Sequence, residues 1–289
     1  YFTDGRIVPA GQRHVRKPGK KADYLLMRRQ DFPLAVVEAK RAYKLPAAGL
    51  QQAMDYAEIL DIKFAYSTNG KGIVEHDFIT GKQRELDDFP TPEELWQRFS
   101  GTLDLPQAKD EEDLQFPFNR EIYNPGGKRR EARYYQRVAI ARTVQAVLQG
   151  RKRLLLTMAT GTGKTFVAVQ VAWKLWKTGR KKRILYLADR NILVQQPLTR
   201  EFSIFGDAVH RIQNGVAKKG REIYFALYQS IAEDPGRPGL YKEYPPDYFD
   251  LIIVDECHRG SARDESNWRT ILEYFAPATQ IGMTATPKR

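Results

Sequence analysis

One seven-residue stretch constrains the second half of this 289-residue chain more than any other feature. Ala159-Thr160-Gly161-Thr162-Gly163-Lys164-Thr165 lies between the apolar run Leu154–Met158 and a helically spaced segment, Lys164–Lys177. Strand, glycine-rich turn and helix in that order form a phosphate-binding loop. Glycines let successive backbone N–H groups wrap the anion, and the helix N-terminus adds a favourable dipole. In such a loop Thr160, Gly161, Thr162 and Gly163 supply the wrapping backbone. Lys164 reaches the terminal phosphates, and the Thr165 hydroxyl ligates Mg2+. Met158 stands where the general pattern GxxxxGK[ST] has its first glycine.

The apolar run Leu251-Ile252-Ile253-Val254 ends in Asp255-Glu256. The C-terminal edge of a parallel sheet is where such strands present ligands. Asp255 is expected to hold the metal through its water shell, and Glu256 to polarise the attacking water. Arg183–Ala188, Tyr224–Leu227, Phe249–Val254 and Gln280–Met283 also read as strands, alternating with helical or loop segments, and Arg133–Gln149 reads as a helix. Continuous apolar strands separated by helices predict a doubly wound α/β domain around a parallel sheet.

The first half reads differently. Tyr24–Met27 and Leu34–Ala39 form an extended, hairpin-like pair, Ala47–Leu60 a helix, and Phe64–Ser67 and Ile73–Ile79 two further strands. Residues two apart on a strand share a face, so Glu38 and Lys40 point the same way, and Asp23 can converge on them from the partner strand. Two carboxylates suit a divalent metal that polarises a phosphate and activates water, with Lys40 positioning the water or offsetting the developing charge. Gln52 and Tyr56, four apart, share one helix face. Residues 101–128 are acidic and broken by Pro106, Pro117 and Pro125-Gly126-Gly127, which suits a linker. The expected organisation is therefore a domain over 1–100, a linker over 101–128 and a second domain over 129–289.

Residues 1–120 carry 18 Lys+Arg against 19 Asp+Glu, and residues 121–289 carry 29 against 16, so the excess of positive charge lies in the second half. That balance favours a polyanionic partner through counterion release. A single cysteine, Cys257, excludes an internal disulfide framework and a cysteine-cluster zinc site, and fits a reducing cytoplasm. No apolar run is long enough to span a membrane. Both ends of the sequence read as cuts in a longer chain.

The phosphate loop and the Asp255-Glu256-Cys257-His258 run resemble the DExH form of the superfamily 2 helicases and translocases. The resemblance implies ATP and Mg2+ as cofactors, a RecA-like domain that is the first of two, and an adenine-reading role for Gln136. It implies coupling or DNA contact for Asp189, Arg190, Gln229, Ser230, His258, Thr284 and Thr286. Asp23, Glu38 and Lys40, with Ala22 in place of a proline, resemble the PD-(D/E)xK nucleases. Gln52 and Tyr56 resemble the QxxxY signature of one nuclease subgroup, with Thr68-Asn69-Gly70 and Thr80-Gly81-Lys82 following in that subgroup's order. A restriction-endonuclease-like domain is thus expected ahead of the motor domain.

ADYLL, AVVEAKR, QQAMDYA, STNG, ATGTGKT, YLADRNILVQQ and DECHR, in this order, resemble the R (restriction) subunit of Type I restriction-modification enzymes. That likeness implies a bacterial or archaeal complex with methyltransferase (M) and specificity (S) subunits, acting on double-stranded DNA with no membrane association. The competing readings are a nuclease–helicase fusion of DNA repair or recombination, and a DNA-binding scaffold with degenerate sites. A Type III restriction subunit is disfavoured because its nuclease normally follows the motor.

Overall fold

A computed structural model describes residues 22–29, 31–123, 127–188, 201–212, 215–233, 238–255 and 269–285, and the backbone of 7–10 and 13–16. The chain divides into two compact units, Tyr1–Glu111 with Ala132–Val138, and Glu112–Glu131 with Ala139–Arg289.

In the first unit β1 (Ile7–Ala10) and β2 (Arg13–Arg16) pair as an antiparallel ribbon. The main sheet has the order β3-β4-β5-β6-β7, made of Tyr24–Arg29, Phe32–Ala39, Phe64–Thr68, Ile73–Asp77 and Lys82–Leu86. Only β4 and β5 run parallel in this sheet, joined by α1 (Leu50–Leu60); the other pairs are antiparallel. Alternation along the strands makes the sheet two-faced. Val36 and Ala65 pack under Ala53, Tyr56, Ala57 and Leu60 of α1. Tyr66, Glu75 and Phe64 project to the opposite face, where Arg98 of α2 (Pro92–Ser100) meets them. Thr91 starts α2 with a reciprocal capping box to Glu94 and a proline in the first turn, which satisfies helix-end donors that would otherwise be lost.

Several boundaries differ from the sequence expectation. Ala47–Leu60 is not one helix: Pro46–Gly49 is a 3-10 turn, and the α-helix begins at Leu50. The strand expected to reach Ile79 stops at Asp77, whose Oδ1 accepts from the Ile79 N–H at 2.8 Å and folds the chain into a turn. β7 and α2 went unread, because Lys82–Leu86 is an exposed edge strand with no apolar alternation.

The second unit contains a six-stranded sheet of order β10-β11-β9-β12-β13-β8, every neighbouring pair parallel. Its strands are β8 (Arg153–Thr157), β9 (Ile184–Ala188), β10 (Val209–Ile212), β11 (Ile223–Leu227), β12 (Leu251–Val254) and β13 (Thr279–Thr284). Leu185, Leu187, Tyr224, Ala226, Ile252 and Val254 form one buried core with Tyr241, Tyr244, Phe249, Ile271 and Phe275. Tyr186 and Phe225 face the other way, against Phe202. The chain is therefore α/β with a parallel sheet, as expected.

The expected linker is folded. Leu103, Leu114 and Ile122 are buried, and α3 spans Ala108–Leu114. Within the second unit, Gln170 of α5 (Lys164–Lys177) grips both backbone groups of Asn119, and Lys174 donates to the Leu114 carbonyl at 2.7 Å. The prolines and acidic residues of this segment mask a short apolar set that sequence spacing does not reveal.

Candidate active sites

Glu38 lies near the end of β4 and is 1% exposed. It pairs in parallel register with the buried Ser67 of β5, beneath the start of α1. Lys40, just past the strand, donates from Nζ to Glu38 Oε2 at 3.2 Å and to Gln52 Oε1 at 3.0 Å. Gln52 in turn donates from Nε2 to the Tyr56 hydroxyl at 2.9 Å. An ammonium group can only donate, so the amide oxygen faces Lys40 and the amide nitrogen faces Tyr56. Asp23 completes the group: its Oδ2 accepts from the Ala39 N–H at 2.9 Å, and its own N–H lies 3.4 Å from Glu38 Oε1. The structure therefore joins Asp23, Glu38, Lys40, Gln52 and Tyr56 in one network.

Burial pushes the Glu38 carboxyl above its ordinary pKa, and the negative charge of Asp23 adds to the rise. The Lys40 hydrogen bond and charge pull the other way without cancelling it. Asp23 and Glu38 present hard oxygen donors, which suit Mg2+. Among the described residues no group of three or more His, Cys, Asp or Glu could hold a metal. An ion here would take its remaining ligands from backbone, water or substrate oxygens.

Two residues of this site went unread. Gly49 donates its N–H to Ser67 Oγ at 3.0 Å, and an added Cβ would come within 2.5 Å of Lys40 Cε. Neither residue type signals chemistry; only the β4–α1–β5 arrangement brings them to Lys40. Asn69 organises the following turn by accepting from the Lys71 and Gly72 N–H groups and donating to the Lys44 carbonyl. Thr80 and Gly81 shape the β6–β7 turn, where the Gly81 N–H donates to the Asp77 carbonyl at 2.7 Å.

In the second unit, the loop after β8 is open to solvent at Thr160 and Gly161. Gly161 and Gly163 adopt φ of 77° and 86°, a region that L side chains rarely enter. Met158 is buried, and its N–H donates to the Thr284 carbonyl at 2.9 Å. This position continues the β8–β13 ladder, so it needs no glycine freedom. Lys164, the first residue of α5, is buried and donates to the Met158 carbonyl at 3.4 Å, while Thr162 Oγ1 donates to the Ala159 carbonyl at 2.6 Å.

Asp255 follows β12 and is buried. The Tyr186 hydroxyl of β9 donates to its Oδ2 at 2.7 Å, and Thr165 also hydrogen-bonds with Tyr186. Burial, followed by the charge of Asp255, holds the Tyr186 hydroxyl far above the ordinary tyrosine range. Burial likewise raises Glu201, which pairs with Arg130, whose guanidinium lies 4.6 Å over the Phe166 ring. Tyr186, Glu201 and Arg130 went unread. A tyrosine in the aliphatic strand Ile184–Ala188 was the available signal.

Gln229 and Ser230 follow β11, and Thr284 ends β13, at the same sheet end as the phosphate loop. Ser230 Oγ donates to the Leu227 carbonyl at 2.7 Å. Gln136 is buried in the first unit, and its Oε1 accepts from the Arg133 N–H at the start of α4 (Tyr134–Leu148) at 2.9 Å. Asp189, Arg190, Glu256, His258 and Thr286 lie outside the described residues.

Residues 129–289 match the family described as Type III restriction enzyme, res subunit. The chain belongs to this family. That match covers the phosphate-loop part, and the likeness extends further in individual relatives. The chain is 45% identical, over 99% of its length, to the Type I restriction enzyme EcoAI endonuclease subunit of Escherichia coli, of which it spans 35%. It is 31% identical over 78% of its length to the EcoKI endonuclease subunit of the same species, of which it spans 21%. A fragment structure described as an HsdR subunit of a type I restriction enzyme from Vibrio vulnificus YJ016 superposes over all of this chain and half of that one. The TM-score is 0.77, at 50% identity. The resemblance to Type I R subunits read from the motifs therefore holds across both units. Among the described residues no helix is long and apolar enough to cross a membrane.

Proposed function

We propose that the chain is the nuclease-and-motor region of a Type I restriction endonuclease subunit. In this reading the first unit is a restriction-endonuclease-like domain that cleaves DNA, and the second is the first of two RecA-like domains of an ATP-driven DNA translocase. It works on double-stranded DNA with M and S subunits, in the cytoplasm of a bacterium or archaeon. The observation that carries the reading is the contact of Lys40 Nζ with both Glu38 and Gln52, beside Asp23.

Asp23 and Glu38 would hold Mg2+, which when bound polarises the scissile phosphate and activates water. Lys40 orients the Glu38 carboxylate and supplies a positive charge against the charge that develops on the phosphate. Gln52 and Tyr56 hold the ammonium in place. In the second unit Lys164 turns from the Met158 carbonyl to the nucleotide phosphates. Thr165 and Asp255 would hold the nucleotide's Mg2+, with the Tyr186 hydroxyl fixing the Asp255 carboxylate. Glu256 serves as the water-polarising residue.

The test uses the complete subunit assembled with its partners. Lys40→Ala is expected to lower DNA cleavage at least ~10²-fold while ATP hydrolysis and displacement of a triplex-forming strand persist. Lys164→Ala is expected to weaken binding of a fluorescent ATP analogue at least about tenfold. Normal cleavage by Lys40→Ala would reduce the first network to a buried structural ion pair.

A further inference from the structure

The positive charge of the second unit is not spread evenly. Three basic runs, Arg151-Lys152-Arg153, Arg180-Lys181-Lys182-Arg183 and Lys218-Lys219-Gly220-Arg221, lie at or just before the starts of β8, β9 and β11. All strands of this sheet are parallel, so all three runs fall at the N-terminal end of the sheet. The phosphate loop and Asp255 lie at the other end. Strands of four to six residues put the two ends roughly 15 Å apart. β11 and β8 are four strand spacings apart, so the basic edge is about 19 Å long, or about five to six base pairs of duplex.

The edge also has relief. Arg180, Lys182, Arg183, Lys219 and Arg221 line an open cavity of about 620 Å³ together with Tyr248. Its two acids stand against five cations, and neutral donors hold both of them. Asp250 Oδ2 accepts from the backbone N–H of Lys182 and of Arg183, and Glu222 Oε2 accepts from Trp176 Nε1 at 2.7 Å. Arg180 pairs with Asp113. Among the described residues, Lys182, Arg183, Lys219 and Arg221 form no ion pair. Arg183 is held in place, its guanidinium 4.6 Å over the Tyr248 ring. Like charges gathered in one concavity repel one another, and an anion relieves that repulsion. Protein interfaces deplete lysine at their cores, whereas nucleic-acid interfaces are strongly positive.

The geometry points to a second phosphodiester-binding surface at the N-terminal edge of the parallel sheet, built on Lys182, Arg183, Lys219 and Arg221. It binds the backbone of nucleic acid without reading sequence and is separate from the nucleotide end of the unit. The choice of ligand rests on the DNA reading above; the surface itself rests on the cavity and its charge.

The test is binding of a labelled 30-base-pair duplex (about five times the edge length) to the 289-residue chain without nucleotide, across a salt series. Lys182→Ala/Lys219→Ala/Arg221→Ala is expected to bind at least tenfold more weakly, with the slope of log affinity against log salt shallower by up to about 3. A control triple, Lys128→Ala/Arg142→Ala/Lys242→Ala, removes equal charge from elsewhere in the unit and should change the slope little. ATP-analogue binding should stay at the wild-type level in both. Unchanged affinity and slope in the cavity variant, or an equal loss in the control, overturns the inference. So does displacement of duplex from the wild type by inorganic phosphate at equal phosphate concentration, which marks a single-phosphate site. Displacement by polyglutamate as effective as by unlabelled duplex marks an acidic protein surface instead and also overturns it. Wild-type protein that binds the ATP analogue but no duplex overturns this inference while leaving the nucleotide site standing.

Discussion

Gly49→Ala tests whether Lys40 acts through its position rather than its mere presence. Gly49 has φ −106° and ψ 0°, a conformation open to alanine, so the perturbation is steric. The new Cβ would lie 2.5 Å from Lys40 Cε, 2.9 Å from Ser67 Oγ and 3.1 Å from Glu38 Cβ. Carbon contacts are comfortable at ~3.5–4.0 Å, so Lys40 Cε must move by about 1 Å, and Nζ moves with it. Contacts of 3.2 Å and 3.0 Å to Glu38 and Gln52 do not survive such a shift. The Ser67 and Glu38 contacts are on strands and yield less, so an overpacking cost of about 1–3 kcal/mol is expected. It would be read from faster hydrogen exchange across Leu50–Leu60. The functional readout is the pH dependence of Mn2+ binding. Binding needs the Glu38 carboxylate, the acid form dominates below its pKa, and burial has raised that pKa. Binding is therefore lost as pH falls, beginning above the ordinary carboxylate range. Lys40 lowers the pKa, so its loss moves the midpoint upward. One charge-assisted hydrogen bond of ~1.5 kcal/mol corresponds to roughly one pH unit. Gly49→Ala should shift the midpoint as Lys40→Ala does, and should add nothing in the Lys40→Ala background. An unmoved midpoint, or two shifts that add, would refute the reasoning.

Tyr186→Phe removes the hydroxyl that donates to Asp255 Oδ2 and should weaken ATP-analogue binding about fivefold in Mg2+ while leaving it unchanged in EDTA. Equal affinities in Mg2+ would show that Asp255 is held without it. On the far face of the first sheet, Arg98 bonds Glu75 through two nitrogens and also Asp77, and Arg98→Met should destabilise the first unit by roughly 3 kcal/mol, measured by hydrogen exchange on β6. Burial pushes both carboxyls up, but Arg98 and the neighbouring donors overcome it and leave them below the ordinary range. Depressed carboxylates stabilise above their unfolded pKa, and that contribution is lost as pH falls through the folded value. The unit should therefore loosen in acid, and less steeply in the Arg98→Met variant.

Motifs whose chemistry depends on local spacing were legible in the sequence. Lys164–Lys177 runs as a helix between the bounds read for it, because a glycine turn and a basic end mark both termini. Asp23, Glu38 and Lys40 converge, and Gln52 and Tyr56 share a helix face, as periodicity indicates; the Lys40–Gln52 contact that joins the two groups is not visible in the spacing. What spacing could not show was partnership across the chain. Tyr186 reaches Asp255 only because β9 and β12 are neighbours, although 69 residues separate the two. Glu75 has the period of an ordinary strand residue, yet it is fully buried under Arg98, Arg84 and Tyr66. Segment 101–128 failed for the opposite reason. Its composition is that of a connector, yet Gln170 and Lys174, contributed from a distant helix, anchor its Asn119 and Leu114 carbonyls.

The two units share a device that neither motif displays alone. In the second, the chemistry gathers where parallel strands end and a helix begins. In the first, β4 and β5 are the one parallel pair of a mostly antiparallel sheet, and α1 crosses between them. Glu38 and Lys40 lie at the end of β4, Ser67 and Asn69 at the end of β5, and Gly49 at the start of α1 sits against Lys40, Ser67 and Glu38. Parallel strand ends leave backbone groups that the ladder no longer uses, and a helix start adds donors and a positive dipole. In the proposed function, a phosphate would bind at such a place in either unit. Opposite the parallel ends, the backbone N–H groups of Lys182 and Arg183 are already taken by Asp250. An anion site there must be built from side chains, as the basic runs before β8, β9 and β11 are.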